Sequence, residues 1–135
     1  MKLDYNFIKQ ILIAMENDNG HEIPLYRLLE QMKVLNDKHM INQELLEKFI
    51  GHIKIIGDKY FIESSDNEGN YGFAKKMGGG YIIGKPNYRI TAQGYEFLDI
   101  LKNKTIFNKI KDFAISNAWE IGKQLLVQYA TTQIK

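Results

Sequence analysis

Two stretches of this sequence hold residue types at spacings that chemistry can use. Gly79-Gly80-Tyr81-Ile82-Ile83-Gly84-Lys85 has the spacing G-x-x-x-x-G-K. That is half of a phosphate-binding loop, in which backbone N–H groups and a lysine surround phosphate oxygens. The full loop also needs a Ser or Thr for Mg²⁺ and a helix whose N-terminus meets the phosphates. Pro86 and a strand-like run follow instead, so the stretch reads as a glycine-rich hairpin. His21, His39 and His52 lie 18 and 13 residues apart, which is no ligand spacing. With no cysteine in the chain, a zinc site would have to be completed by carboxylates from elsewhere. Each histidine is therefore expected at the surface or at a cap. Ser64-Ser65-Asp66 has no histidine beside it and fits a strand running into a turn. Asp99 and Asp112 fall at solvated helix positions. The expectation is a non-enzyme with no catalytic residue, no metal and no cofactor.

The elements that carry these residues belong to a chain of 135 residues, 44% apolar and 25% charged. This is the size and composition of one globular domain. The lack of cysteine excludes a disulfide framework and thiolate catalysis, and it fits a reducing compartment. Met1-Lys2-Leu3-Asp4 runs into a mixed polar and apolar stretch, so no secretory signal is expected. No apolar run approaches the roughly 20 residues that span a bilayer. A cytoplasmic location without a membrane partner is expected. The net charge of +2 is a weak pointer to a polyanion. Its distribution is uneven: residues 101–135 carry six lysines against two acidic residues, and residues 1–50 carry six basic against eight acidic residues.

Asp4 can cap a first helix, whose stripe is Phe7, Ile8, Ile11, Leu12 and Met15. Asn17-Asp18-Asn19-Gly20 stops it. His21-Glu22-Ile23 reads as a short strand, and Pro24 suits the first turn of a second helix with Leu25, Leu28, Leu29 and Met32 inside. Asn42 can cap a third helix with Leu45, Leu46, Phe49, Ile50, Ile53 and Ile56 on one side, and Gly57 is placed to end it. Tyr60 to Ser64 reads as a strand and Ser65 to Asn70 as a turn. A second strand region spans Tyr71 to Ile83, interrupted by Gly78-Gly79-Gly80. Tyr88-Arg89-Ile90 is a last strand, and Thr91 can cap a fourth helix through Leu101. A fifth helix has Ile106, Phe107, Ile110, Phe113 and Ala114 apolar, and a sixth runs from about Asn117 to Thr131. The fold class expected is α+β: a winged helix-turn-helix core of three helices and a β-hairpin wing over residues 1–101. Residues 102–135 are expected as a helical extension, packed on that core or forming a dimer interface.

The stretch Tyr88-Arg89-Ile90-Thr91-Ala92-Gln93-Gly94-Tyr95-Glu96-Phe97-Leu98 resembles the Y-x-[IL]-T-x-x-G-x-x-x-L signature that closes the wing in many bacterial winged-helix regulators. The whole chain resembles a bacterial and phage family catalogued as domain of unknown function 2513. The segments that carry this are Met1-Lys2-Leu3-Asp4 with Ile8, Ile11 and Leu12, Thr91 to Asp99, and Ile106-Phe107-Asn108-Lys109-Ile110-Lys111. The resemblance implies a phage or prophage origin, a winged-helix core and no catalytic residues. The glycine-rich insertion in the hairpin departs from it.

The third helix is the expected recognition helix. Asn42 and Gln43 at its start can read adenine edges, and Lys48 and Lys54 can read guanine or meet phosphate. Glu44 and Glu47 lie on the same side, as does Ile55, which hints at a protein partner or at cover from the wing. Lys75, Lys76 and Lys85 are interleaved with Tyr71, Phe73 and Tyr81 in the hairpin. They suit phosphate and base contact, or equally the aromatics pack on the core with the lysines outside. Duplex DNA is the partner expected first, for a regulatory protein. The alternative is a protein-interaction module that modulates a host or phage protein. Trp119, Gly122, Leu126 and Tyr129 form a stripe on the last helix, expected as a homodimer seam or as packing within one chain.

Overall fold

The computed structural model describes residues 2–18, 20–66 and 69–134. Asn19, Asn67, Glu68 and Lys135, expected in turns and in the basic C-terminal end, lie outside the described residues. The chain is mixed α+β. Helix α1 (Tyr5–Glu16) is followed by β1 (Ile23–Pro24), α2 (Leu25–Gln31) and α3 (Gln43–Asp58). Strands β2 (Ile62–Ser64), β3 (Phe73–Lys75), β4 (Tyr81–Ile83) and β5 (Asn87–Ile90) come next. Helices α4 (Ala92–Lys102), α5 (Lys104–Ile110) and α6 (Ile115–Ile134) complete it.

Four side-chain caps form, three of them expected. The side chains of Asp4, Asn42, Thr91 and Asn103 accept from the amides of Phe7, Leu45, Gly94 and Ile106 at 3.0–3.1 Å, each satisfying an N–H that has no partner within its helix. Of these, Asn103 had not been expected. Pro24 precedes α2 rather than opening it. Gly57 does not end α3, which runs one residue further. Its small size serves another purpose: a Cβ at Gly57 would lie 2.1 Å from the Tyr71 hydroxyl. The glycine makes room for a ring that comes from the segment between β2 and β3.

β1, β5 and β2 form an antiparallel sheet in that order, with Ile62 opposite Ile90 and Ser64 opposite Tyr88. Ile62, Tyr88 and Ile90 turn inward, while Glu63 and Arg89 pair at 2.7 Å on the outer side, the period-2 alternation of a half-buried sheet. The strand region expected over Tyr71 to Ile83, broken at Gly78-Gly79-Gly80 and read as a glycine-rich hairpin, is the pair β3 and β4, which among the described residues form a two-stranded sheet of their own. Gly78, Gly79 and Gly80 have φ of 89°, 106° and 80°. That backbone region is open to glycine at no steric cost, and it reverses the chain.

α4 and α5 carry the core on into the C-terminal region. Ile106, Ile110, Ala118 and Trp119 belong to the same buried cluster as α1, α2 and α3. Trp119 lies edge-on to Phe61 at 5.1 Å and to Phe97 at 5.9 Å. The packing partners expected in α5 were partly wrong. Phe113 and Ala114 are exposed, because α5 ends at Ile110 and a turn precedes α6. α6 starts at Ile115, two residues before the expected position. No described helix is long and apolar enough to cross a membrane.

Candidate nucleic-acid interface

The outward side of α3 is less basic than its composition promises. Gln43, Glu44, Glu47, Lys54 and Asp58 are exposed. Three acidic side chains therefore face water against one lysine. Lys48, expected among the groove-facing residues, is turned away. Its Nζ lies 2.8 Å from Asp4 Oδ2 and 4.6 Å above the Phe7 ring. A lysine at that helical position is within reach of the α1 N-terminus, and pairing with the cap carboxylate wins. Asn42 is exposed at the start of α3, and its oxygen holds the Leu45 amide. A bidentate contact with adenine would compete with that cap. Ile55 is half-buried.

The hairpin keeps its charge. Lys75, Lys76 and Lys85 are all exposed. The sequence has no aspartate or glutamate from Gly69 to Tyr95. The aromatics interleaved with these lysines serve packing instead. Phe73 is buried edge-on to Phe49 of α3 at 6.1 Å and meets Tyr81 across the hairpin at 6.4 Å. Tyr71 sits against Gly57 and edge-on to Tyr88, whose hydroxyl donates to the Tyr71 carbonyl. Phe73 is buried and Tyr71 and Tyr81 are half-buried, so packing takes much of each ring. What they do is root the hairpin on α3.

The C-terminal region adds further lysines, two of them in ion pairs. Lys102 pairs with Glu16 and Lys123 with Glu120. Lys111 lines a cleft of about 590 Å³ at the α1 N-terminus, together with Lys2, Lys48, Asp4 and Asp112. Acidic and basic groups alternate there.

The α6 stripe is turned inward at two of its four members. Trp119 is covered by Phe61 and Phe97, and a Cβ on Gly122 would lie 2.7 Å from Ile100 Cγ2. Gly122 permits close approach, as its size implies, but of α4 in the same chain. Leu126 is half-buried and Tyr129 exposed. A two-fold contact through the whole stripe would first require α6 to leave its own core.

A family model described as Hypothetical protein (DUF2513) matches residues 2–120. The chain belongs to this family. No curated protein and no solved structure matches it. The DUF2513 match extends past Trp119, so it includes the first turn of α6 and its contact with Phe97.

One polar cluster in this DUF2513 chain escaped the sequence pattern. His52, expected at the surface or a cap, is fully buried. Its Nε2 accepts from the Asp4 backbone N–H at 2.9 Å, so Nδ1 carries the proton and donates to the Lys48 carbonyl at 2.8 Å. The ring also stands edge-on to Phe7 at 5.1 Å. The signal was present: His52 follows Phe49 by three residues and precedes Ile56 by four, which places it on the apolar face of α3. Burial pushes its pKa down, against the opposing pull of the Lys48 carbonyl and the Asp4 charge. Burial raises the Asp4 carboxyl, but the Lys48 and Phe7 hydrogen bonds and the nearby positive charge outweigh it and hold the group below its usual range.

These shifts set a pH dependence. The folded state binds a proton at His52 less readily than the unfolded chain does. Stability is then constant above about pH 6.5, the unfolded value, and falls as pH drops through the depressed folded value. A second decline, from Asp4, begins below about pH 4 as its paired carboxylate is protonated. Urea midpoints from pH 8 to pH 5 measure the first window. His52→Gln is expected to lose that slope, and an unchanged slope would assign it elsewhere.

Proposed function

We propose that the chain is a non-enzymatic, cytoplasmic winged-helix module that binds duplex DNA in a regulatory role, with the β3–β4 hairpin as its main contact. The order α1–β1–α2–α3–β2–β5 and the sheet order β1-β5-β2 support the winged-helix part. On this reading β3–β4 is an insertion within the wing. The observation that carries the DNA reading is the exposed set Lys75, Lys76 and Lys85 on a projection free of acidic residues. Lysines on phosphates supply affinity without sequence preference. The three exposed acidic groups of α3 repel phosphate, so the helix contributes at most Asn42, Gln43 and Lys54, and the hairpin leads.

Fluorescence anisotropy of a labelled duplex across a salt series tests this. Each lysine–phosphate contact adds about one unit to the slope of log affinity against log salt. Lys75→Ala with Lys76→Ala is expected to flatten the slope by about two units and to weaken binding to all sequences alike. Full retention of binding removes the hairpin from the reading. A second reading, a protein-interaction module, is favoured by the acidic outer side of α3 and by exposed Met40 and Ile41 just before it. Failure to bind any duplex at low salt selects it.

A further inference from the structure

Met77 stands where the β3–β4 hairpin reverses, and its side chain is fully exposed, at 102% of the reference area. Fully burying a methionine side chain is worth about 1.5–3 kcal/mol, and at this position nothing in the chain realises it. Ile82 on β4 is also exposed. The chemistry around Met77 is specific. Lys75 and Lys76 come directly before it, and Gly78, Gly79 and Gly80 directly after. A Cβ built on any of the three glycines meets nothing within 4 Å, so the tip is bare backbone with no side-chain walls. Lys76 N–H donates to the Gly80 carbonyl at 3.0 Å and closes the turn.

The base of the hairpin is fixed while its tip is bare. Phe73 packs on Phe49, and Tyr71 fills the space that Gly57 leaves. A Cβ on Gly72, whose φ is 91°, would lie 2.7 Å from the Pro86 ring, so the hairpin also starts from a close-packed crossing. The result is one long apolar side chain on a narrow, basic stalk rooted in the core.

A basic, acid-free stalk selects a polyanionic partner. The minor groove of duplex DNA is about 6 Å wide, bordered by phosphates on both sides, with base edges at its floor. A glycine tip is slim enough to enter it, and flanking lysines fit its borders. Apolar side chains that reach this floor unstack a base step and bend the duplex toward the major groove. We propose that Met77 is such a wedge: it enters the minor groove between two base pairs and bends the DNA, while Lys75 and Lys76 hold the bordering phosphates. This rests on the DNA reading above and adds to it a deformation, one that pyrimidine–purine steps accept most readily.

The test is energy transfer between dyes at the two ends of a short duplex containing TA steps, at saturating protein and low salt. Wild type is expected to bring the ends together, by a bend within the range of about 20–90° known for such wedges. Met77→Ala removes no packing, so it leaves the fold intact, which thermal unfolding verifies. It is expected to abolish the bend and weaken binding about fivefold to tenfold, the loss from one partly buried apolar side chain. The salt slope stays unchanged, because no charge is removed. Binding with an unchanged bend in Met77→Ala overturns the wedge while leaving the DNA reading in place. Absence of binding by wild type overturns both. A wild type that leaves DNA straight but binds phosphatidylserine vesicles through Met77 overturns the wedge in favour of a membrane contact.

Discussion

Gly94→Ala is expected to destabilise the protein by about 3 kcal/mol or more, at the upper end of what overpacking costs, and to lower Tm by roughly 10 °C for a chain of this size. Gly94 lies in the first turn of α4, beside the Thr91 cap. A Cβ there would stand 2.0 Å from the Phe61 carbonyl oxygen and 2.7 Å from Ile90 Cγ2. The obstacle is backbone, so rotation of a side chain cannot relieve it. Phe61 O also accepts from the Thr91 amide at 3.0 Å, so moving it breaks the junction that starts α4. The sign is what makes the test sharp. Glycine to alanine inside a helix ordinarily stabilises by about 0.5–1 kcal/mol. Exposed Gln93→Ala, one residue away, is expected to change Tm little. A neutral or stabilising Gly94→Ala would show that α4 does not abut the end of β2.

Phe49→Ala should cost about 3–5 kcal/mol, from lost transfer free energy and the cavity left behind. Phe49 is fully buried on α3 and holds Phe73 of the hairpin edge-on. The damage should therefore be asymmetric. Amides of β3 and β4 are expected to exchange hydrogen faster than those of α1, because the hairpin loses its anchor while α1 keeps its own contacts. Phe49→Leu, which keeps most of the volume, should cost under about 1.5 kcal/mol. A near-neutral Phe49→Ala would mean that α3 presents another face to the core.

Much of α3 was readable because burial follows the 3.6-residue period. Leu46, Phe49, Ile50, Ile53 and Ile56 are inside as the spacing demands. The same period, applied only to apolar residues, passed over His52, whose burial depends on a backbone N–H donated 48 positions away. Lys48 was misplaced for a related reason. A wheel assigns it a direction, but its partner Asp4 is 44 residues distant, and no local pattern records that pairing. The hairpin illustrates a different limit. Three consecutive glycines mark the reversal of a hairpin, but that its two strands pair with each other in a sheet apart from β1, β5 and β2 is a tertiary outcome. The stripe on α6 shows that periodicity identifies a face and leaves its partner open: Trp119 and Gly122 found Phe97 and Ile100 within the chain. In the candidate interface, the lysines of the hairpin were legible as charge, and core packing of Tyr71 and Phe73 was one of two readings left open; the tertiary contacts with Gly57 and Phe49 decide for it.

The chain's single tryptophan sits where α6 meets Phe61 and Phe97. Its emission therefore reports the joint between the N-terminal core and the C-terminal helices. Detachment of α6 alone would redden that emission while most helical circular dichroism persisted, whereas a concerted transition would move both signals together. Two copies that exchanged α6 would rebuild the same aromatic nest in each half, so an oligomer formed by swapping would be spectroscopically indistinguishable from the monomer and visible only by its mass.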